Sequence, residues 1–339
     1  MTAARPTTVP VTVVVVNFNG GRFLERCMAC LARQATLPER IELVDCASTD
    51  GSADALEAAV RSDESSDGLL SAIAGRLSVD RAGRNLGFAA ANNRAIERCA
   101  TPLVALLNPD AFAEPDWLRR LCDAAGRHPD CASFGSRQML EGHPGMVDGI
   151  GDAYHVGGMP WRSRHRRRLR PDDLRAREIF SPCAAAALYR TDAVRSVGAF
   201  DADFFCYCED VDLGFRLRLA GHSCRYVPEA VVHHVGAASS GHRHSDTVVY
   251  HGHRNLVWTF AKDMPLALLP LAIPAHLATT AASLVVLGLR GQAGAFVRAK
   301  VDALSGLPAV LRKRAAVQQA RRAGAGAILG SMRTGLWRG

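Results

Sequence analysis

The chain has 339 residues, of which 48% are hydrophobic and 22% are charged. This length suffices for one large or two modest domains, and this composition excludes a wholly disordered protein. The formal net charge is +8, but ten Lys or Arg against a single acid, Asp302, fall between Arg290 and Gly339. The basic excess therefore belongs to the C-terminal tail, where an anionic membrane surface or a nucleic acid is the expected partner.

The N-terminal region contains a continuous β-branched run, VPVTVVVV, at residues 9–16. The run is short, is followed at once by Asn17 and Asn19, and lacks a small-residue cleavage site, so we expect a buried strand and no signal peptide. Without a secretory signal, the ten cysteines are expected to be reduced thiols in the cytosol. The lone Cys27-x-x-Cys30 pair lies in a helix-like segment and is interpreted as part of that helix.

Strands and helices then alternate along the chain. Apolar runs predict strands at 9–16, 41–44, 77–79 and 103–107, and helical spacing predicts helices at 22–34, through Leu56 and Val60, at 89–99 and at 117–128. Polar residues follow the predicted strands, among them Asp45, Asn85 and Asp110. This pattern predicts an open α/β sheet, and such sheets bind ligands at the carboxyl ends of their strands.

Residues 137–180 are expected to form an irregular excursion from this sheet. The excursion carries the basic run WRSRHRRRLR at 161–170. Two interpretations of the run stay open, a solvated surface and a lid that grips phosphates.

The segment from Phe200 to Leu219 concentrates five acids within twelve residues. An apolar run, 204–208, is expected to be buried, and the helix that follows is expected to end at Gly221. Burial beside a helix start can raise the pKa of a carboxyl, which suits a general base. An equally open alternative is that Glu209 and Asp210 only cap the helix and face water.

Residues 265–289 contain no formally charged side chain across 25 positions. The segment is long enough to span a bilayer, but Pro270, Pro274 and His276 also allow an interfacial helix or a buried helix pair. We expect membrane association, helped by the basic tail. The composition change predicts a catalytic domain at 1–260 and a helical, membrane-associating basic extension at 261–339.

Six segments occur in the order and spacing of family 2 glycosyltransferases, and the chain most resembles the branch that contains bacterial rhamnosyltransferases. They are VVVVNFNG, DCASTDGS, RNLGFAAANN, LLNPDA, GAFDADFFCYCEDVDLGFRLRLAGH and VVHHVGAAS. The resemblance covers roughly residues 9–260. It implies a GT-A fold (a Rossmann-like, mostly parallel sheet with flanking helices), a nucleotide-sugar donor, a Mg²⁺ or Mn²⁺ ion and inversion at the anomeric carbon.

The resemblance also implies which residues bind the nucleotide sugar. Asp45 matches the acid that contacts the nucleoside, although Cys46 stands where the family usually has Asn. Asn17 and Asn19 match the loop that encloses the nucleotide. Asn85 and Gly87 match the loop packed near it, where glycine permits a close approach to the backbone.

The same resemblance implies the metal site and the catalytic base. Asp110, in Asn-Pro-Asp, is the one carboxylate left of the usual Asp-x-Asp and is the expected metal ligand, with the alternative that it only caps a turn. His234 matches a histidine that can complete the metal site. Asp210 matches the catalytic base, with Glu209 beside it. Arg254-Asn255 resembles a recurring pair for which no role follows.

These observations predict an inverting, metal-dependent glycosyltransferase at the inner face of the cell membrane. The acceptor is expected to be a lipid-linked, polyprenyl-linked or growing cell-envelope glycan, and dTDP-rhamnose is the first donor to test. Three alternatives stay open: a nucleotidyltransferase, an inactive scaffold of the same fold, and a protein that binds nucleic acid through the basic tail. No nucleic-acid partner is expected if the carboxylate cluster is catalytic.

Overall fold

The computed structural model describes residues 7–62, 68–236 and 245–335. The strands are β1 (Thr7–Asn17), β2 (Thr36–Asp45), β3 (Leu77–Arg81), β4 (Leu103–Leu107), β5 (Ala111–Ala113), β6 (Cys131–Leu140), β7 (Met146–Gly149), β8 (Asp152–Tyr154), β9 (Pro160–Arg162), β10 (Arg167–Arg168), β11 (Arg177–Glu178), β12 (Ala186–Arg190) and β13 (Ser223–His234). The α-helices are α1 (Gly21–Ala32), α2 (Ser52–Ser62), α3 (Ser71–Ala74), α4 (Gly87–Arg98), α5 (Trp117–Arg127), α6 (Thr191–Ser196), α7 (Glu209–Leu219), α8 (Asp246–Asp263), α9 (Leu269–Leu289), α10 (Ala293–Gln319) and α11 (Ala325–Ser331). Residues 1–6, which belong to the segment expected not to be a signal peptide, and 237–239, from the VVHHVGAAS segment, lie outside the described residues.

A mixed, mostly parallel sheet forms the centre of the molecule. Strands β3, β2, β1 and β4 lie side by side in parallel. Strand β12 then pairs antiparallel with β4 and β6, and β13 runs parallel to β6. The β1 run is fully buried from Val11 to Val15, because helices cover both faces of the sheet.

Two hydrophobic clusters lie on opposite faces of this sheet. On one face, α1 and α5 contribute Leu24, Met28 and Trp117 to a cluster with the odd-numbered valines of β1. On the other face, α4 and α7 pack against it, with Leu213 and Leu217 of α7 in the second cluster. The acidic segment at 200–219 is therefore anchored directly on the sheet.

The C-terminal helices pack against α7 and against the excursion. A third cluster joins Phe215 of α7 and Tyr154 of β8 to Phe260 of α8 and Ile328 of α11. Helix α10 also lies along α8, where Trp258 donates a hydrogen bond to the carbonyl of Ala303 at 3.0 Å. Position 260, the predicted limit of the catalytic domain, lies inside α8, and the division into two domains stays a prediction.

The structure corrects two expectations about local structure. The supposedly irregular region contains part of β6 and five short strands, because the sheet and the C-terminal helices give its polar and small residues partners that are distant in sequence. In the apolar run at 204–208 only Phe204 is buried, while the other four residues are half-buried. The predicted end of α7 is confirmed: Gly221 has φ +95°, and its N–H donates to the carbonyl of Arg218 at 3.0 Å.

Candidate active site

The carboxyl ends of β1 and β2 bring Asn17 and Asp45 side by side. They are register partners, both side chains are buried, and the Asn17 amide donates to Asp45 Oδ1 at 2.9 Å. Ser48 donates its hydroxyl to the same oxygen at 2.6 Å and its N–H to Oδ2 at 3.2 Å. The Asp45 carboxylate is therefore held in one orientation at the sheet edge where α/β ligands bind.

The loop after β1 is tied to the loop after β2. Asn19 adopts φ +53°, its Oδ1 accepts the Thr49 N–H at 2.8 Å, and its own N–H donates to the Ser48 hydroxyl at 3.0 Å. Cys46 lies fully buried in the core, and its N–H donates to the Asn17 carbonyl at 2.8 Å. Cysteine at this position therefore packs as a small apolar residue and leaves the hydrogen bonding of the two loops intact.

Asn85 and Gly87 lie at the start of α4, against the acidic segment. The Asn85 side chain accepts the Gly87 N–H at 2.9 Å, and Gly87 has φ +74°. A Cβ atom on Gly87 would lie 2.6 Å from the backbone oxygen of Phe205. Glycine is required here because the loop that precedes Asp210 packs directly on it. Contact of Asn85 and Gly87 with a nucleotide stays a prediction.

The structure brings Asp110 and His234 together. Asp110 directly precedes β5, and His234 ends β13 as the register partner of Ala111. The His234 Nε2 atom lies 3.3 Å from Asp110 Oδ1, and its Nδ1 atom lies 2.8 Å from Oδ2 of Asp148 on β7. All three side chains are buried. The neighbouring His233 points to the other side of the strand, where its exposed ring contacts Glu114 at 3.2 Å.

The two carboxylates determine the charge state of His234. Burial disfavours the charged imidazolium, but hydrogen bonds with Asp110 and Asp148 outweigh it and raise the pKa of His234 to about 9. Burial would raise the pKa of Asp148, but the charge of Arg162 and hydrogen bonds from His165 and His234 hold it well below its usual range. Asp148 therefore favours its anionic form, and its carboxylate fixes the orientation of the His234 ring.

The Asp110–His234 pair fits a divalent cation in part. Among residues 7–62, 68–236 and 245–335, no three His, Cys, Asp or Glu side chains form a ready-made metal cluster. Asp110 offers one carboxylate, and His234 offers one imidazole once a cation displaces the proton of Nε2. Mg²⁺ or Mn²⁺ commonly takes one or two protein ligands and completes its shell with substrate phosphates and water. The donor set therefore suits a cation that arrives with a diphosphate.

Arg162, from the basic run, lies beside the Asp148–His234 pair, and its positive charge opposes the rise that burial causes in the pKa of Asp210. Its guanidinium donates to Asp148 at 2.5 Å and to the sulfur of Cys183 at 2.8 Å. Gly149 leaves room for the Arg162 side chain, because a Cβ atom at position 149 would lie 2.4 Å from that side chain. The basic run thus contributes a cation to the site, while Arg166, Arg167 and Arg168 are exposed.

Asp210 and Glu209 begin α7 in different surroundings. Asp210 is half-buried, and its carboxylate accepts the N–H groups of Ala184 at 3.1 Å and of Val211 at 2.9 Å. Burial raises the pKa of Asp210, although those hydrogen bonds and the charge of Arg162 oppose the rise. Glu209 is 7% exposed, and burial followed by the charge of Asp210 raises its pKa well above the usual value. Asp210 is therefore the more accessible carboxylate of the pair.

Two acids of this site, Asp148 and Asp152, escaped prediction, and the sequence indicates Arg162 only as part of the basic run at 161–170. Asp152 is buried, and its pKa is raised by burial and by the charge of Asp210. Asp148 and Asp152 flank Gly-Ile-Gly, so acids set among glycines gave a signal that could have identified them. The Arg162 contact depends on β7 and β9 meeting in space, which no local pattern reveals.

The sequence is similar to those of known glycosyltransferases. The family described as Glycosyl transferase family 2 matches residues 12–198. An N-acetylglucosaminyl-diphospho-decaprenol L-rhamnosyltransferase of Mycobacterium tuberculosis is 30% identical over 286 residues, covering 73% of this chain and 85% of the relative. A validoxylamine A glucosyltransferase of Streptomyces hygroscopicus subsp. limoneus is 29% identical over 62% of this chain and 48% of its own length.

Solved structures share the fold at low sequence identity. S. aureus TarS 1-349 in complex with UDP-GlcNAc has a TM-score of 0.53 and 17% identity, with 95% of this chain and 92% of that chain covered. A mannosyltransferase of Pyrobaculum calidifontis in complex with GDP-Man and Mn²⁺ has a TM-score of 0.52 and 18% identity, over 94% of this chain and 88% of that one. The GT-A fold expected from the resemblance is confirmed, and the chain belongs to glycosyltransferase family 2.

Proposed function

We propose that the protein is an inverting, metal-dependent glycosyltransferase that uses a nucleotide sugar, with dTDP-rhamnose as the first donor. The observation that carries the proposal is the chain of contacts from Asp110 through His234 and Asp148 to Arg162, whose positive charge also acts on Asp210. Similarity to the rhamnosyltransferase supports the choice of sugar.

The chain's own residues supply binding and proton transfer. Asp45, held by Asn17 and Ser48, seats the nucleoside, and Asn19 keeps the neighbouring loop closed. Asp110 and His234 would hold Mg²⁺ or Mn²⁺, which supplies positive charge against the diphosphate leaving group.

Asp210 is positioned to act as the base, with the buried Glu209 beside it. It takes the proton of an acceptor hydroxyl, the hydroxyl oxygen forms a bond to the anomeric carbon, and the bond from that carbon to the diphosphate breaks. The electron pair leaves with the diphosphate. Attack opposite the leaving group inverts the anomeric carbon, so no carboxylate nucleophile is required.

A cavity of about 830 Å³ lies beside Asp152 and the C-terminal end of α7. Trp161, Phe180 and Ile328 line it together with Arg218 and Arg333. Its size is within the range of small-molecule sites. The rhamnosyltransferase's name specifies a diphospho-decaprenol acceptor, and we propose a polyprenyl-linked or cell-envelope glycan for this chain.

The surface of α9 supports attachment to a membrane. By length and composition, Leu266–Leu289 could cross a bilayer, and only 11% of its most apolar window is buried. Midway along this helix, His276 and Thr279 bond the carbonyl of Gly157 at 2.9 and 3.2 Å. Because α9 is bonded to the rest of the protein at its middle, it is better placed to lie along the membrane surface than to cross the bilayer. We place the protein at the inner, cytoplasmic face of the cell membrane, facing anionic lipid.

A thermal-shift panel tests the proposed function. Nucleoside diphosphates and nucleotide sugars are each added with Mn²⁺, Mg²⁺ or chelator, since a ligand bound only by the native state raises the melting temperature. We expect a metal-dependent shift with dTDP or UDP compounds, and loss of its metal dependence in Asp110→Ala. A folded wild-type protein that shifts with no nucleotide would contradict the proposal.

A further inference from the structure

The loop that leads into Asp210 has an unusual backbone. Phe205, Tyr207 and Cys208 have φ values of +63°, +69° and +63°. Residues with side chains rarely adopt this left-handed conformation, so a segment with three of them needs external contacts to hold it.

Asn255 of α8 supplies those contacts from one side. Its side chain is fully buried, and the amide nitrogen lies 2.9, 2.9 and 2.8 Å from the carbonyl oxygens of Phe204, Cys206 and Tyr207. The two amide hydrogens are thus shared among three acceptors. The neighbouring Arg254 donates from Nε to the Asn255 side-chain oxygen at 2.9 Å, which fixes the orientation of the amide group.

Two neighbouring helices bond the other two carbonyls of this segment. The Phe205 carbonyl accepts the Ala89 N–H of α4 at 3.2 Å, and the Cys208 carbonyl accepts the Asp212 N–H of α7 at 2.9 Å. Every carbonyl from 204 to 208 therefore has a partner, and Asn255 bonds three of the five. The Phe204 carbonyl also accepts the Cys206 N–H at 2.7 Å and the Arg254 guanidinium at 3.0 Å, so the amide matters most at Cys206 and Tyr207.

We propose that Asn255 is a positioning residue that holds the 204–208 loop, and through it the Asp210 carboxylate, in the geometry required for transfer. This inference rests on the proposed function, which makes Asp210 the base. Asn255 lies behind the loop on α8 and acts through the backbone, without touching substrate. It also gives the Arg254-Asn255 pair a physical role that its sequence pattern alone did not supply.

The test compares wild type, Asn255→Ala and Gln318→Ala in the full-length chain. Gln318 is a matched control, because its amide also donates to two α8 carbonyls, those of Lys262 at 3.3 Å and Asp263 at 2.9 Å, away from the loop. In Asn255→Ala, we expect hydrogen exchange of the 204–210 amides to accelerate roughly tenfold, and kcat with dTDP-rhamnose and Mn²⁺ to fall about 10–100-fold with donor KM nearly unchanged. Gln318→Ala should change neither quantity.

The possible outcomes distinguish a positioning role of Asn255 from a general effect on stability and from a wrong choice of donor. Unchanged exchange of the 204–210 amides, or an unchanged kcat per folded molecule beside a lowered melting temperature, would overturn the positioning role. If the wild type does not turn over dTDP-rhamnose, that choice of donor fails, and the exchange measurement still decides whether Asn255 holds the loop. If Asn255→Ala does not fold, Asn255→Ser, which retains one donor, should show the same pattern at smaller magnitude.

Discussion

At the scale of single residues, Glu209 and Asp210 at the start of α7 differ in burial and are therefore suited to different chemical roles. Glu209 lies inside the protein, and its Oε2 atom finds no hydrogen-bond partner among the described residues. Asp210 is half-buried and accepts two backbone N–H groups. A carboxylate that is oriented and reachable suits proton transfer, whereas a buried one with a strongly raised pKa favours its neutral form.

Asp210→Asn is expected to lower kcat by about 10²–10⁴-fold while nucleotide binding is retained, because it removes only the proton acceptor. Burial raises the Asp210 pKa above 3.8, and the base works only when ionised. Wild-type transfer should therefore fall as the pH is lowered, with its midpoint above 3.8. Rate measurements across pH, with nucleotide binding by thermal shift, check both statements. Near wild-type turnover in the variant would refute the assignment.

Asp148→Asn is expected to weaken Mn²⁺-dependent nucleotide binding about 10–100-fold, because the His234 ring loses the carboxylate that orients it. Titration of Mn²⁺ in the presence of UDP or dTDP measures the effect. Asp173→Asn is the matched control: Asp173 is also buried and paired with an arginine, Arg164, but it does not contact His234. Equal losses in the two variants would show that the effect is general destabilisation.

At the scale of secondary-structure elements, the sequence predicted the helices and strands whose hydrophobic residues recur with a clear period. The β-branched run of β1, the amphipathic α5 and the Gly221 stop of α7 lie where periodicity and cap chemistry placed them. Strand β6 escaped detection because its small and polar residues, such as Ser133, Gly135 and Ser136, carry little strand preference and are buried only by their neighbours. The same reason hides Asp148 and Arg162, whose roles arise only when distant strands meet.

The contact between α7 and α8 depends on a buried ion network. Lys262 of α8 is 2% exposed and forms ion pairs with both Asp201 and Asp212 at 2.6 Å, while Arg216 forms an ion pair with Asp212 at 2.7 Å. The neighbouring Asp263 is fully buried, and burial followed by the charge of Asp212 raises its pKa. The network therefore joins α7 to the C-terminal helices, but it requires every charge to be balanced.

Lys262→Met is expected to destabilise the protein by about 3–5 kcal/mol, because it leaves buried carboxylates without their cation. Urea unfolding at neutral pH measures the loss. Lys313→Met is the control, since Lys313 bonds Asp201 and Asp203 from a position that is 39% exposed. That change should cost less than about 1 kcal/mol. A Lys262 variant as stable as the Lys313 variant would show that the network contributes little.

At the scale of the whole molecule, one side of the C-terminal helices is fastened to the catalytic body and the other is apolar and open. The exposed large hydrophobic residues of α9 and α10 include Leu271, Ile273, Leu277, Val285, Leu289, Val297, Val301 and Leu304. Exposed Arg290 and Arg298 lie among them. An apolar strip with basic residues complements an anionic bilayer surface. The active-site loop, held by α8, would then sit at a fixed height above the lipid.

The double variant Leu277→Glu, Val285→Glu is expected to lose vesicle binding while keeping its fold and its metal-dependent nucleotide shift. Both side chains are 62% exposed, so neither substitution disturbs the core, while each places a negative charge against anionic lipid. Flotation with phosphatidylserine-containing vesicles, compared with neutral vesicles, measures the loss. Leu174→Glu, at a 48% exposed position outside α9 and α10, is the control and should still float. If the double variant floated as well as the control, the apolar strip would not be the membrane-binding surface, and the basic tail alone would have to account for any attachment.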